Sequence, residues 1–179
     1  IISFLSFFNI IYSYYFNLLI SINAFYYTFL TSLLFFLIFY FKIKKILKIT
    51  IYNKIFAVLV GYFILPLIIT IPYVINLNNI TFIDCYFEAI SGFTSTGFTI
   101  FNNIKHLDES LIIWRSTSQW IGGLYFLFSI ILLIDIFDKS IKKSFTNFIS
   151  FNTTETFKQT IKILILYTSL TIFIFLVLN

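Results

Sequence analysis

Phe82-Ile-Asp-Cys-Tyr-Phe-Glu-Ala-Ile-Ser-Gly-Phe-Thr-Ser-Thr-Gly-Phe-Thr-Ile-Phe101 interrupts an otherwise apolar chain with acids, small hydroxyl residues and two glycines at close spacing. Its first part, Phe82 to Ser91, predicts a helix of about three turns, about 15 Å long and too short for a hydrocarbon core of about 30 Å. Such a helix enters a membrane without crossing it. Its second part, Gly92 to Thr99, has glycine at both ends of Phe-Thr-Ser-Thr and predicts an extended or strained backbone. Together the two parts have the outline of a re-entrant pore loop between longer apolar segments.

The rest of the chain sets this loop in a membrane. Of 179 residues, 60% are hydrophobic and only 11% charged, and the mean hydropathy is +0.99. Soluble domains carry about 25% charged residues. The basic excess, twelve against seven acids, is explained by membrane orientation and needs no nucleic-acid partner. Cys85 is the single cysteine, which excludes an intrachain disulfide and a Cys/His zinc site and predicts a small packing residue. The chain has no methionine and begins Ile-Ile-Ser inside an apolar run, from which a piece of a longer product is expected.

Outward from the loop, the apolar runs predict an all-α membrane protein of about five transmembrane helices plus one re-entrant helix and filter loop. Residues 1–45 form an N-terminal hairpin: a span from about Ile1 to Ile22, a turn at Ser21-Ile22-Asn23, and a second span from Ala24 to Phe41. Asn9 and Asn17 are candidates for bonds to a neighbouring helix. Lys42, Lys44, Lys45, Lys48 and Lys54 follow with no acid among them, which makes that loop cytoplasmic. The next span, Ile55 to Ile75, holds Pro66 and Pro72 and should bend toward protein that can satisfy the freed carbonyls. After the pore loop comes an external return, Phe101 to Ser110, with Lys105, His106, Asp108 and Glu109. The span Leu111 to Phe137 carries Arg115, Ser116, Ser118, Gln119, Gly122 and Gly123 in its first half, with Asp135 near its inner end. Residues 54–137 thus read as one helix–pore loop–helix repeat, 138–157 as a lysine-bearing cytoplasmic linker, and 158–179 as the first helix of a second repeat. With inner loops on both sides, the pore loop opens from outside.

A cation filter needs oxygen atoms aimed at a dehydrated ion, and backbone carbonyls of a rigid Thr/Gly strand supply them without the desolvation cost of a bare charge. Thr94-Ser-Thr-Gly-Phe-Thr99 is such a strand. Gly97 allows backbone angles that a Cβ resists, and the hydroxyls can either add ligands or brace the strand. The C-terminal end of the short helix, near Ile90 and Ser91, carries partial negative charge from unpaired carbonyls and favours a cation. Glu88 is an intramembrane acid, for which a bond to backbone or to Arg115, or direct ion contact, are the open roles. Asp84 is a dipole partner at the helix start, Arg115 an anchor at the outer interface, Gly122-Gly123 a close-packing site and His106 a solvated loop residue.

Phe87-Glu-Ala-Ile-Ser-Gly-Phe-Thr-Ser-Thr-Gly-Phe-Thr99, followed by Trp114-Arg-Ser-Thr-Ser-Gln-Trp-Ile-Gly-Gly123, resembles the first pore repeat of the Trk/Ktr/HKT superfamily of potassium transporters, the bacterial Trk-type membrane subunit in particular. That resemblance implies one pore built from four covalently linked repeats, of which this chain holds one filter strand. It implies that Thr94, Ser95, Thr96 and Gly97 lie on the ion path, with Glu88, Ser91, Gly92 and Arg115 supporting them. Ser95 stands where many relatives have threonine, a mild departure if carbonyls coordinate the ion. The implied function is K⁺ uptake, with Na⁺ possible, across the cytoplasmic membrane. The chain is then no enzyme and has no resident cofactor. Its implied partners are membrane lipid, the remaining repeats or further copies of the chain, and a cytoplasmic nucleotide-binding regulatory subunit. Two other readings stand beside it: a non-conducting remnant or structural membrane subunit, and a membrane-embedded hydrolase using Glu88, His106 or Asp108.

Overall fold

A computed structural model describes residues 1–42, 51–77, 80–104, 107–133, 162, 164–171 and 173–174. Those residues are helical or irregular, with no strand among them. The helices are α1 (Ile2–Tyr15), α2 (Leu19–Lys42), α3 (Ile51–Asn76), α4 (Phe82–Phe93) and α5 (Glu109–Leu133). Residues 1–129 form one compact unit and 130–179 another. In the second, residues 164–171 are helical, and the Thr168 hydroxyl donates to the Leu164 and Ile165 carbonyls of the preceding turn. Most of the lysine-rich loop after Lys42, His106, Asp135 and the expected linker at 138–157 lie outside the described residues.

The first helix is shorter than its apolar run. It ends at Tyr15 because Asn17 adopts a left-handed backbone, φ 57°, which asparagine tolerates better than most residues. The Leu18 N–H then donates to the Ser13 carbonyl at 2.9 Å and the Asn17 N–H to Tyr14 at 3.2 Å, the paired bonds of a Schellman motif. The turn therefore falls at residues 16–18, not at Ser21-Ile22-Asn23, which belong to α2. Asn17 caps the helix, and the Asn9 amide donates to Leu5 in its own helix, so neither makes the expected bond across to a neighbour. At 14 residues, α1 is about 21 Å long, short of a hydrocarbon core.

Polarity is inverted along this hairpin. Ser6, Asn9 and Ser13 of α1 are buried, as are Ser21, Thr28 and Ser32 of α2, whereas Phe4, Phe7, Phe8, Tyr14, Phe36 and Phe39 are exposed. Small residues let two helices approach closely, and the Ser6 and Thr28 hydroxyls satisfy themselves on carbonyls one turn back. An aromatic exterior over a seam of hydroxyls suits lipid and not water. Ser21–Phe41 and Tyr52–Asn76 are long and apolar enough to cross a membrane, and only 22% and 33% of their most apolar windows are buried. They are not the enclosed core helices of a soluble domain.

Successive helices pack side by side, α1 on α2, α2 on α3 and α3 on α4. The third begins at Ile51, so Lys54 lies within it and not in the loop. Pro66 and Pro72 sit inside α3, where each lacks an N–H and crowds the preceding turn. The carbonyl three residues before each proline receives a donor from another helix. The Tyr86 hydroxyl donates to Phe63 at 3.1 Å, and the Trp114 indole N–H to Ile69 at 3.0 Å. Around these contacts Phe25, Ile69, Tyr73, Cys85, Ala89, Phe93, Leu111 and Trp114 form the core.

Replacing Asn17 by valine, which resists positive φ, is expected to lower stability by about 1–2 kcal/mol. Asn17→Gly should be neutral or stabilising. Thermal unfolding of the two purified variants in one detergent, compared with the parent chain, checks the difference.

Candidate functional site

Helix α4 starts on a capping arrangement: the Asp84 N–H bonds the Thr81 hydroxyl, which itself donates to the Asp84 carboxylate at 2.6 Å. From there it runs back along α3. Tyr86 meets Phe63, and the Phe93 ring lies 5.7 Å from that of Tyr62, near the midpoint of α3. Its twelve residues, about 18 Å, thus descend roughly half the length of α3. Cys85 is free and fully buried in the core between these helices, the small packing residue that its sequence predicts.

The helix ends at Phe93, two residues beyond the expected Ser91, and Gly92 is helical. A second Schellman motif closes it. Ser95 takes φ 56°, the Thr96 N–H donates to Ser91 at 3.1 Å and the Ser95 N–H to Gly92 at 3.0 Å. The Thr94 N–H and hydroxyl both donate to Ile90 at 2.8 Å. The Ile90 and Ser91 carbonyls, expected to face a cation unpaired, are therefore taken. The last helical carbonyl, of Phe93, lies against Gly122 of α5, where any Cβ would overlap it. Gly122 serves the close packing that its sequence predicts.

The chain then returns alongside the helix that it has just left. Glu88 has no exposed surface, and its carboxylate is fully engaged. Oε1 lies 2.8 Å from Arg115 Nε, while Oε2 accepts the Ile100 N–H at 3.1 Å and the Thr99 hydroxyl at 3.1 Å. Arg115 is itself buried, 8% exposed, and its Nη2 reaches the Phe98 carbonyl at 3.5 Å. It is an internal counter-ion to Glu88. Ser91 donates to the same Phe98 carbonyl at 2.6 Å. One ion pair and one serine thus hold the far end of the return segment against α4 and α5.

Between these two fixed ends the polar atoms divide by type. The Thr96 hydroxyl contacts the Ser91 hydroxyl at 3.2 Å and the Thr94 hydroxyl at 3.3 Å, and the Ser95 hydroxyl donates to Gln119 at 3.4 Å. The hydroxyls brace the strand. The carbonyl oxygens of Thr94, Ser95, Thr96 and Gly97 accept no hydrogen bond among the described residues, and all four residues are exposed. Gly97 holds φ 79° with open space where a Cβ would stand, so its backbone angle and not crowding demands glycine.

The candidate residues Glu88, Ser91, Gly92, Thr94, Ser95, Thr96, Gly97 and Arg115 therefore come together. The Gln119 carbonyl and Ser118, which packs against Gly92, join them from within the Trp114–Gly123 block, and Tyr86 joins them from outside either quoted block. Of the residues of the hydrolase reading, His106 lies outside the described residues, and Glu88 and Asp108 do not come together. Asp108 accepts a bond from Ser21 at 3.5 Å, beside the contact of Ser110 with Ser21 at 2.9 Å. Asp108 lies seven residues before Arg115 on the α5 side, about 10 Å along a helix. No group of three His, Cys, Asp or Glu residues suited to a metal occurs among the described residues.

No family model matches the chain, and no solved structure does. It is similar to an uncharacterized cation transporter of Methanocaldococcus jannaschii, 34% identical over 98 residues, which is 53% of this chain and 21% of that protein. The Trk system potassium uptake protein TrkG of Escherichia coli is 44% identical over 46 residues, 26% of this chain and 10% of its own length. TrkI of Halomonas elongata, another Trk system potassium uptake protein, is 34% identical over 55 residues, 31% of this chain and 11% of its own. The chain spans about a fifth or less of the curated relatives that it matches.

Removing one member of a buried ion pair leaves an uncompensated charge at a cost of about 3–5 kcal/mol. Arg115→Gln alone is therefore expected to be more destabilising than the double variant Glu88→Gln/Arg115→Gln. Thermal unfolding of the single and double variants measures the coupling.

Proposed function

We propose, from the premise that this chain is a distant and partial homologue of the Trk-system potassium uptake proteins, that it contributes one filter strand to a K⁺ uptake pathway. The observation that carries this reading is the row of unbonded carbonyls from Thr94 to Gly97, on a backbone whose hydroxyls and far end are all tied to protein. Bare carbonyls on a braced strand can replace the water around a cation, and they need no titratable group to do so. K⁺ is then cargo, and no covalent step occurs. The relatives are transporters by name, which agrees with a non-enzymatic role.

In this reading the chain lies in a membrane, as the homology and the two long apolar helices argue. The membrane is the cytoplasmic one, the lysine-rich loop after α2 is inside, and α4 dips in from outside as a pore helix. About five spans complete the architecture, with 1–45 as the hairpin, 54–137 as a first repeat, 138–157 as linker and 158–179 opening a second. Further strands, from other repeats or copies, surround the ion. A cytoplasmic nucleotide-binding subunit is the proposed regulator. A non-conducting membrane subunit is the second reading, favoured by the single carbonyl row among the described residues.

The test is rubidium and sodium uptake in a host lacking its own K⁺ uptake, using the transporter that carries this chain. Gly97→Ser is expected to abolish K⁺-dependent growth and collapse the K⁺ over Na⁺ preference, since serine resists φ 79°. Unchanged selectivity with normal expression would remove the filter role and leave the non-conducting reading.

A further inference from the structure

Beneath the carbonyl row three aromatic rings meet. The Tyr125 ring of α5 lies 4.9 Å from Tyr62 of α3, edge to face, and 5.4 Å from Phe93, the last residue of α4. Tyr62 and Phe93 are themselves 5.7 Å apart. The Tyr125 hydroxyl crosses to α3, where it donates to Val58 at 2.9 Å and touches the Ala57 carbonyl at 3.5 Å. It passes over Gly61, and all three of the nearest atoms that a Cβ on Gly61 would meet belong to Tyr125. Three residues earlier on α5, Gly122 receives the Phe93 carbonyl. Phe93 is thus held by one residue pair of α5, its backbone by Gly122 and its ring by Tyr125, while Tyr125 is tied to α3.

Phe93 immediately precedes Thr94, the first residue of the carbonyl row. The amides of Thr94, Ser95 and Thr96, which close α4, depend on where the end of that helix lies. We propose that Tyr125 is a positioning residue for the ion path. Seated in the groove left by Gly61, it is a strut from α3 to Phe93 that fixes the base of the Thr94–Gly97 row. The inference rests on the filter reading above for its consequence in transport, but its structural half stands on these contacts alone. Neither the resemblance blocks nor any charge pattern marks Gly61 or Tyr125.

Hydrogen–deuterium exchange on the full chain in lipid nanodiscs tests the strut without reference to transport. Tyr125→Phe keeps the rings and removes the bond to α3. It is expected to speed exchange of the Thr94, Ser95 and Thr96 amides roughly fivefold, the factor that one lost hydrogen bond represents. Unchanged exchange there would overturn the proposal. Gly61→Ala should loosen the same amides in the presence of Tyr125 but add nothing in a Tyr125→Ala background, because the ring is what the new methyl displaces. An undiminished effect of Gly61→Ala in that background would equally overturn it.

Uptake measurements separate this inference from the reading on which it rests. If the parent chain's transporter carries K⁺, Tyr125→Phe is expected to lower the K⁺ to Na⁺ uptake ratio at unchanged expression. Faster exchange with an unaltered ratio would refute the positioning role. A parent transporter that carries no K⁺ at all would refute the filter reading, and the exchange results would still decide the strut.

Discussion

A carboxylate with no exposed surface, in a chain this apolar, has to be neutralised where it lies. Glu88 meets that requirement through Arg115 and through the Ile100 N–H and Thr99 hydroxyl. The arrangement does more than cancel a charge, because its four groups come from α4, from α5 and from the end of the return segment. Satisfying one buried acid therefore fixes the position of the strand after Gly97. The other end of that strand is fixed by the Schellman turn at Ser95 and by the hydroxyls of Thr94, Ser95 and Thr96. Between a charged clamp and a helix cap, the four carbonyls in question have no protein partner among the described residues.

The surrounding helices are arranged so that this hairpin of helix and return can be held. Near the two prolines of α3, the Phe63 and Ile69 carbonyls accept donors from other elements, Tyr86 from α4 and Trp114 from α5. These bonds give α3 two attachment points, one for each of the helices that flank the return segment. Outside this core the polarity is reversed, with hydroxyls buried between α1 and α2 and aromatic rings outside. The Ser6 and Thr28 hydroxyls bond one turn back, which costs little in lipid.

How much of this could be read in the sequence depended on whether a signal was local. The apolar runs locate α2, α3 and α5, and a short segment with acids and glycine locates α4. Glu88 and Arg115 stand out because charges in apolar surroundings must pair. The break at Asn17 was hidden, since an asparagine flanked by Phe16 and Leu18 looks like helix until its positive φ is known. The same holds at Ser95, whose left-handed backbone carries α4 on to Phe93 and consumes carbonyls that the sequence leaves free. Whether threonine hydroxyls bind an ion or brace a strand was undecidable from type alone. Only geometry shows Thr94 and Thr96 bonded to Ile90 and Ser91, and the Ser95 hydroxyl to Gln119.

The central claim is that a transported cation takes its oxygen ligands from the backbone of Thr94, Ser95, Thr96 and Gly97. The most direct measurement is anomalous scattering from thallium or rubidium in crystals of the intact transporter that carries this chain. The expected result is heavy-ion density in contact with those four carbonyl oxygens and with none of the neighbouring hydroxyls. Density confined to other sites, or these carbonyls bonded instead to protein in the assembled transporter, would contradict the account.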